Sequence, residues 1–324
     1  MVCDWSSRFE VRVLRVQRLL ALLLAVALPL MAFVFLRPQA ARRLETSDRS
    51  GRDSNLLEIG PPPKSLATNK SLTEIKVISY NIRWRSGNEL QKMINHFQRD
   101  PEIGGASILG LQEVDRNKKR SGNKNTAAQI AEALGMHYAW AAPPSVKSEK
   151  EETTGVSILS IFPLKDVRRL VLPHKGPGGR RRAALGATVK MGPQDIRVYS
   201  VHAETRMSED RKLDQMKAVI DDLAGFDRKI PAIILGDLNT WEPAVEDKTF
   251  KLFVKEGFQT PFGSEPTFFA RVLFVPIKLK LDWIWLRNLE VVSHGINREI
   301  KLSDHWPLFV VLRSPVAADS VMLE

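Results

Sequence analysis

"GVSILSIFPLKDVRRLVLPHKGPGGRRRAALGATVKMGPQDIRVYSVHA" (residues 155–203) decides the fold class. It contains four apolar runs, at 155–160, 166–172, 182–191 and 195–203, parted by turn residues and with no helical spacing between them. Strands that follow one another without a helix pair antiparallel. Outside this stretch strands and helices mix. Upstream, "IKVISYNI" (75–82) and "ASILGLQEV" (106–114) read as strands. "NELQKMINHFQ" (88–98) and "NTAAQIAEALG" (125–135) read as helices, the second closing on Gly135. Downstream, "SEDRKLDQMKAVIDDLAGF" (208–226) is the strongest helix, with Leu213, Met216, Ile220 and Leu223 on one face and Ser208 able to cap its start. "PAIILGD", "LDWIWL" and "PLFVVL" read as three late strands. The expectation is an α/β domain of two packed, largely antiparallel sheets with helices outside, rather than a doubly wound parallel sheet. A domain of about 250 residues buries a large core as one unit.

The first 74 residues differ in kind. Residues 1–18 form a basic segment, and 19–36, "LLALLLAVALPLMAFVFL", carry no charge. Eighteen residues lie at the lower limit for spanning a bilayer, where about 20 are expected. The reading is one N-terminal transmembrane helix, an uncleaved anchor. A cleaved signal peptide and a buried core helix are the alternatives, the former poorly served by Arg37 at the end of the run. Arginines flank both ends of the run, so charge asymmetry gives almost no orientation. The domain is expected on the outer, periplasmic or extracellular, face. Residues 37–74, polar and containing "GPPPK", read as a flexible linker, 75–315 as the folded domain and 316–324 as a tail. The formal charge is +11, of which +5 falls in residues 1–70, where 11 Lys/Arg meet 6 Asp/Glu. The remaining +6 permits a phosphate-bearing substrate without demanding nucleic acid. Cys3 is the only cysteine, which excludes an intrachain disulfide and directs any metal in the domain toward oxygen ligands. No protein partner is inferable.

Polar residues stand where strands end: Asn81, Glu113, His202, Asp237 with Asn239, Asp282, and Asp304 with His305. Singly, each is an ordinary turn or cap residue. Together they form a set suited to phosphate ester chemistry. Mg²⁺ takes one or two carboxylates plus phosphate oxygens, and Glu113 and Asp304 can supply the carboxylates. Asp237 can take a proton from an attacking water, and Asn239 can position that water or a phosphate oxygen. His202 and His305 can face the developing charge on phosphorus, with Asp282 the candidate partner of His305.

In order and approximate spacing, "SYNIR", "LQEVD", "SVHAE", "GDLN", "LDWIW" and "SDHWPL" resemble the endonuclease/exonuclease/phosphatase superfamily over residues 75–313. The resemblance implies a four-layer α/β sandwich and Mg²⁺-dependent (or Mn²⁺-dependent) cleavage of phosphate esters. It also implies roles: Asn81 and Glu113 on the metal side with Asp304 nearby, Asp237 and Asn239 activating water, and Asp282 with His305 at the scissile phosphate. His202 is implied as the second phosphate-facing histidine. Abasic-site endonucleases usually have Tyr at that place. Histidine there is similar to secreted deoxyribonucleases, sphingomyelinases and inositol-polyphosphate phosphatases. Ile161 stands where relatives often carry a basic residue.

The substrate class is thus a phosphate ester, whether lipid headgroup, phosphoinositide or nucleic acid. A non-specific endonuclease and a catalytically silent binding module are the alternatives. "KGPGGRRR" (175–182) could clamp a phosphate, with Arg182 best placed to face the site. Trp241 is a candidate for stacking on substrate, and Trp283 for the core. "FFARVLFVPIKLKL" (268–281), apolar with interleaved bases, is a strand or a loop that touches a membrane.

Overall fold

The structure, a computed structural model, describes residues 54–63, 73–144, 153–191, 194–272 and 274–314. The anchor expected at 19–36, the basic segment before it and the tail at 316–324 lie outside the described residues.

Two sheets carry the fold. The first has seven strands in the order β1 (Leu57–Ile59), β4 (His137–Ala141), β5 (Thr153–Ser160), β3 (Ile108–Arg116), β2 (Glu74–Asn81), β14 (Leu308–Arg313) and β13 (Val291–Ile296). The second has five, β12 (Asp282–Arg287), β9 (Ala232–Asp237), β8 (Gln194–His202), β7 (Ala183–Met191) and β6 (Leu164–Val171). A separate hairpin pairs β10 (Phe268–Val272) with β11 (Val275–Leu279). Among the described residues, only β2–β3 and β8–β9 are parallel. Each parallel pair is joined by a helical crossover, α1 (Gly87–Arg99) in the first case and α3 (Glu209–Leu223) in the second. The other two helices are α2 (Thr126–Leu134) and α4 (Pro243–Lys255).

Three apolar clusters give four layers. Ile75, Val77, Ile108 and Val156 of the first sheet meet Leu185, Val198, Ile233 and Leu235 of the second, forming the central core. The outer face of the first sheet packs on α1 and α2 through Leu90, Met93, Phe97 and Ile130. The outer face of the second packs on α3 and α4 through Met216, Val219 and Phe253. The expected sandwich is therefore present. Strands buried on both faces explain why β9 reads as a continuous apolar run rather than an alternating one.

Several details differ from the sequence reading. Residues 37–74 are not all linker, because Leu57–Ile59 pairs with β4 as an edge strand. Glu58 there accepts hydrogen bonds from Tyr138, Asn125 and Arg116, which ties the segment to the domain. Ser208 sits at the N-cap of α3 but makes no side-chain capping bond. The buried face of α3 is rotated from the expected one, since it contains Lys212, Gln215, Met216, Val219 and Leu223, with Leu213 only half-buried. The turn at Gly135 is as expected, with φ 63° and an amide that closes the helix.

Candidate functional site

All the strand-end residues singled out above lie at one edge of the sandwich, where the parallel strands of both sheets end. Asn81 closes β2, His202 closes β8 and Asp237 closes β9. Asp282 opens β12 directly across from Asp237, because β12 runs antiparallel to β9. His305 comes three residues before β14, which runs antiparallel to β2. Ligand sites favour this edge in α/β sheets because the strand-to-helix loops converge there. Beneath them a polar tie joins the sheets: Gln112 donates to Ser200 Oγ at 3.1 Å.

Glu113 reaches the site through a backbone irregularity. The register of β3 against β5 shifts between Gln112 and Val114, and Glu113 sits in the bulge with φ 57°. A bulge re-aims a side chain that strict alternation would send elsewhere. A non-glycine residue in this conformation costs about 1–3 kcal/mol, held by the surrounding fold. Asn239 follows Asp237 in the same conformation, φ 53°. Gly236 before them has φ 136°, and a Cβ there would lie 2.0 Å from the Val201 carbonyl oxygen. Gly236→Ala is therefore expected to move the Asp237–Asn239 loop and to destabilise the fold by roughly 1–3 kcal/mol from backbone strain alone. A melting curve unchanged from that of the wild type would contradict this reading of the loop.

The central contacts are short. His305 Nδ1 lies 2.8 Å from Asp282 Oδ2, which also accepts the Thr267 hydroxyl at 2.7 Å. His305 Nε2 lies 3.8 Å from Asp237 Oδ2, and His202 Nε2 lies 3.6 Å from the same oxygen. Asn81 Nδ2 donates to Asp237 Oδ2 at 3.1 Å and to Glu113 Oε1 at 3.4 Å. Asp237 Oδ1 accepts the Asn239 amide at 3.1 Å. The side chain of Asn239 is fixed at both ends, accepting from Thr205 Oγ1 at 3.1 Å and donating to the Ala203 carbonyl at 3.0 Å.

Burial and charge set the protonation states. Burial works against a charged His305, but Asp282 and Asp237 overcome it and raise its pKa to about 10. His202 goes the other way: burial, Arg182, His305 and Arg180 push it well below the ordinary histidine value. At neutral pH the site thus contains one imidazolium and one neutral imidazole. Burial raises Asp237 to about 7, with Asp282 adding to the rise and His305 opposing it. Burial also raises Glu113, against the Asn81 amide, His305 and Arg182.

Two arrangements suit a cation. Glu113 Oε2 is buried and has no hydrogen-bond partner, which leaves half of a desolvated carboxylate unsatisfied. Oxygen donors of this kind fit Mg²⁺ or Mn²⁺. Ligand atoms of Asp237, Asp282 and His305 also lie within 4.8 Å of one another. In that group one ligand is a histidine whose two ring nitrogens each face a carboxylate, so the positive charge is already supplied. The vacant carboxylate oxygen favours Glu113 with Asn81. Asp304, expected near them, stands on the same edge, where its charge acts on both Glu113 and His305. Its carboxylate is taken by Arg83 at 3.3 Å and by the Ser303 hydroxyl at 3.3 Å.

The flank next to Glu113 and His202 opens into a cavity of about 750 Å³. Lys118, Arg120, Arg180, Arg181, Arg182 and Arg206 line it. Arg182 donates to Glu204 at 3.2 Å and lies 3.4 Å from His202 Nδ1. Trp241 does not line this cavity. It is 45% exposed and covers the Lys212 ammonium, 5.2 Å from its ring centroid. Trp283 is core, as expected, stacked on Trp285. Ile161 packs with the cluster beneath the helices of the first sheet.

Three residues of the site were missed by the sequence reading. Glu204 is buried, holds Arg182 and accepts the amides of Thr205 and Arg206. Lys212 reaches from α3 to the Asn239 carbonyl at 3.2 Å, bracing the loop from behind. Thr267 orients Asp282 while accepting the amides of Leu281 and Asp282. Glu204 stands inside the quoted "SVHAE", the one local signal among the three.

The sequence profile of the family described as "PGAP2IP, C-terminal nuclease-like domain" matches residues 71–260. The chain belongs to the endonuclease/exonuclease/phosphatase superfamily. The fold is also shared with solved structures. An endonuclease/exonuclease/phosphatase from Beutenbergia cavernae is 18% identical with a TM-score of 0.59, covering 75% of this chain and 72% of that one. The human Nocturnin catalytic domain with bound sulfate is 19% identical with a TM-score of 0.56, covering 79% and 96%. Danio rerio TDP2 complexed with a single-strand DNA product is 13% identical with a TM-score of 0.59, covering 75% and 100%. No match was found among curated proteins. Membership in the superfamily fits the convergence of six strand ends on one edge.

Proposed function

We propose that this chain hydrolyses a phosphate ester by metal-dependent attack of water. One observation carries the reading: buried Asp237 faces both a charged His305, held by Asp282, and a neutral His202, beside a cavity lined with arginines. A scissile phosphate in this place meets donors on two sides. His305 presents a proton from Nε2 to a phosphate oxygen, and Arg182 adds positive charge next to His202. Asp237 accepts the proton of the attacking water, and its raised pKa brings it near the range in which a general base is effective. Asn239, immobilised by Thr205 and Ala203, holds the geometry of that loop. Glu113 and Asn81 would hold the divalent cation, Mg²⁺ or Mn²⁺. When bound, such a cation neutralises phosphate charge as a Lewis acid. We further infer that residues 19–36 anchor the chain, which their uncharged run supports.

A nuclease is the second reading, favoured by the six lysine and arginine residues of the cavity. Nucleic-acid cleavage would lose binding steeply with added salt. A substrate panel on the full chain with Mg²⁺ separates the readings: plasmid DNA, sphingomyelin, phosphoinositides and bis-p-nitrophenyl phosphate. Turnover of at least one, abolished by chelator, is expected. A folded chain inert to all would favour a binding module.

The metal assignment has its own test. Glu113→Gln is expected to raise the Mg²⁺ concentration for half-maximal activity by at least about tenfold, with the fold retained. An unchanged Mg²⁺ titration would move the cation to the Asp237–Asp282–His305 group.

A further inference from the structure

Among the described residues, the hairpin of β10 and β11 is the one paired element that belongs to neither main sheet. Its root is built into the site. Phe268 bridges to His305 and meets its ring edge-on at 5.0 Å, while the Phe269 amide donates to the Asp304 carbonyl at 2.8 Å. Its tip leaves the protein: Phe274 is 96% exposed and Val275 64%. No other large apolar side chain among the described residues is as exposed as either. Isolated two-stranded hairpins are marginal in water, and a bare aromatic tip adds apolar surface facing solvent.

The register divides the hairpin by chemistry. Phe268 pairs with Leu279 and Ala270 with Ile277, so these four fall on one face. Phe269 pairs with Lys278 and Arg271 with Pro276 on the other. Arg271 and Lys278 are exposed, and neither pairs with an acidic residue among the described ones. The segment 266–281 contains no Asp or Glu at all. Apolar surface ending in an aromatic, with unpaired cations beside it, matches the interface of an anionic bilayer: ring and valine at the acyl boundary, ammonium and guanidinium among the headgroups.

We propose that this hairpin docks on an anionic lipid surface, with Phe274 and Val275 entering it and Arg271 and Lys278 at headgroup level. Charge complementarity favours lipid over a second copy of the chain, whose own hairpin would bring like charges together. The contact would set the phosphate site at the bilayer face, since His305 lies at the hairpin's root. It is a separate contact from any N-terminal anchor.

The test reads lipid contact without substrate, so it stands apart from any failure of hydrolysis. In the full chain with Cys3→Ser, Phe274→Cys and, separately, Val254→Cys on α4 carry an environment-sensitive fluorophore. Val254 is also exposed, at 49%. Each is mixed with vesicles of phosphatidylcholine and phosphatidylserine containing nitroxide-labelled lipid. Severalfold stronger quenching at position 274 than at 254 is expected, reduced by Arg271→Glu with Lys278→Glu. Equal quenching at both positions, quenching indifferent to the charge reversal, or a label at 274 already shielded from water without vesicles would overturn the proposal.

Discussion

Asp282→Asn is expected to lower kcat by about 10⁴ while leaving the chain folded, by the logic of a histidine deprived of its orienting carboxylate. The magnitude follows from what Asp282 does. Its Oδ2 holds His305 Nδ1 at 2.8 Å, fixing the ring so that Nε2 faces Asp237. The same carboxylate is a main reason His305 is charged at all in a buried place. An asparagine preserves the shape and the bond from Thr267 but removes the charge. Two readouts distinguish this from simple structural damage. The high-pH limb of the activity profile, set near pH 10 by His305, should move down toward the ordinary histidine value. Stability should change with the matching sign. A histidine whose pKa is raised on folding stabilises fully below its unfolded value of 6.5, and that contribution is lost as pH rises through about 10. The variant should therefore be most destabilised near pH 6, on the order of 3 kcal/mol, and the deficit should shrink toward pH 10. A pH-independent deficit, with the activity profile unmoved, would contradict the dyad.

The second large effect is expected at Asp237. Asp237→Asn removes the proton acceptor, and kcat should fall by about 10²–10⁴, the range for losing a general base, with KM little changed. The fold should be intact, because an amide oxygen still accepts from the Asn239 backbone. Stability again has a sign. Burial raises Asp237 to about 7, so the folded chain binds its proton more tightly than the unfolded chain does. Stability from this group therefore falls as pH rises from about 4 to 7. The variant lacks that titration and should melt no lower than the wild type at pH 8. Differential scanning calorimetry alongside kinetics checks both halves. Retained turnover would remove Asp237 as the base.

The site was largely legible in the sequence because of where its residues stand. Asp237 follows "PAIIL" and His305 precedes "WPLFVVL", so burial of the strands forces the polar residues to their ends. The fold class was legible in the four strands without helices between 155 and 203. What escaped depends on distant contacts. Lys212 reads as a solvated helix residue until α3 packs and its ammonium meets the Asn239 carbonyl, 27 positions away. Leu57–Ile59 has no strand signal of its own and becomes one by pairing with β4. Helix α4, absent from the sequence reading, did carry a pattern, with Pro243 at its first turn and Val245, Thr249 and Phe253 on one face. The pairing of Asp304 with Arg83 at 3.3 Å likewise depends on the fold and has no signal in the sequence.

The central claim is that six strand ends make one hydrolytic site, and it is tested most directly by turnover in labelled water. The full chain, with Mg²⁺ and bis-p-nitrophenyl phosphate in ¹⁸O-enriched water, should release p-nitrophenyl phosphate carrying one ¹⁸O on phosphorus, and chelator should stop the release. A folded chain that releases no product, or a product labelled on the phenol instead of the phosphate, would contradict the account.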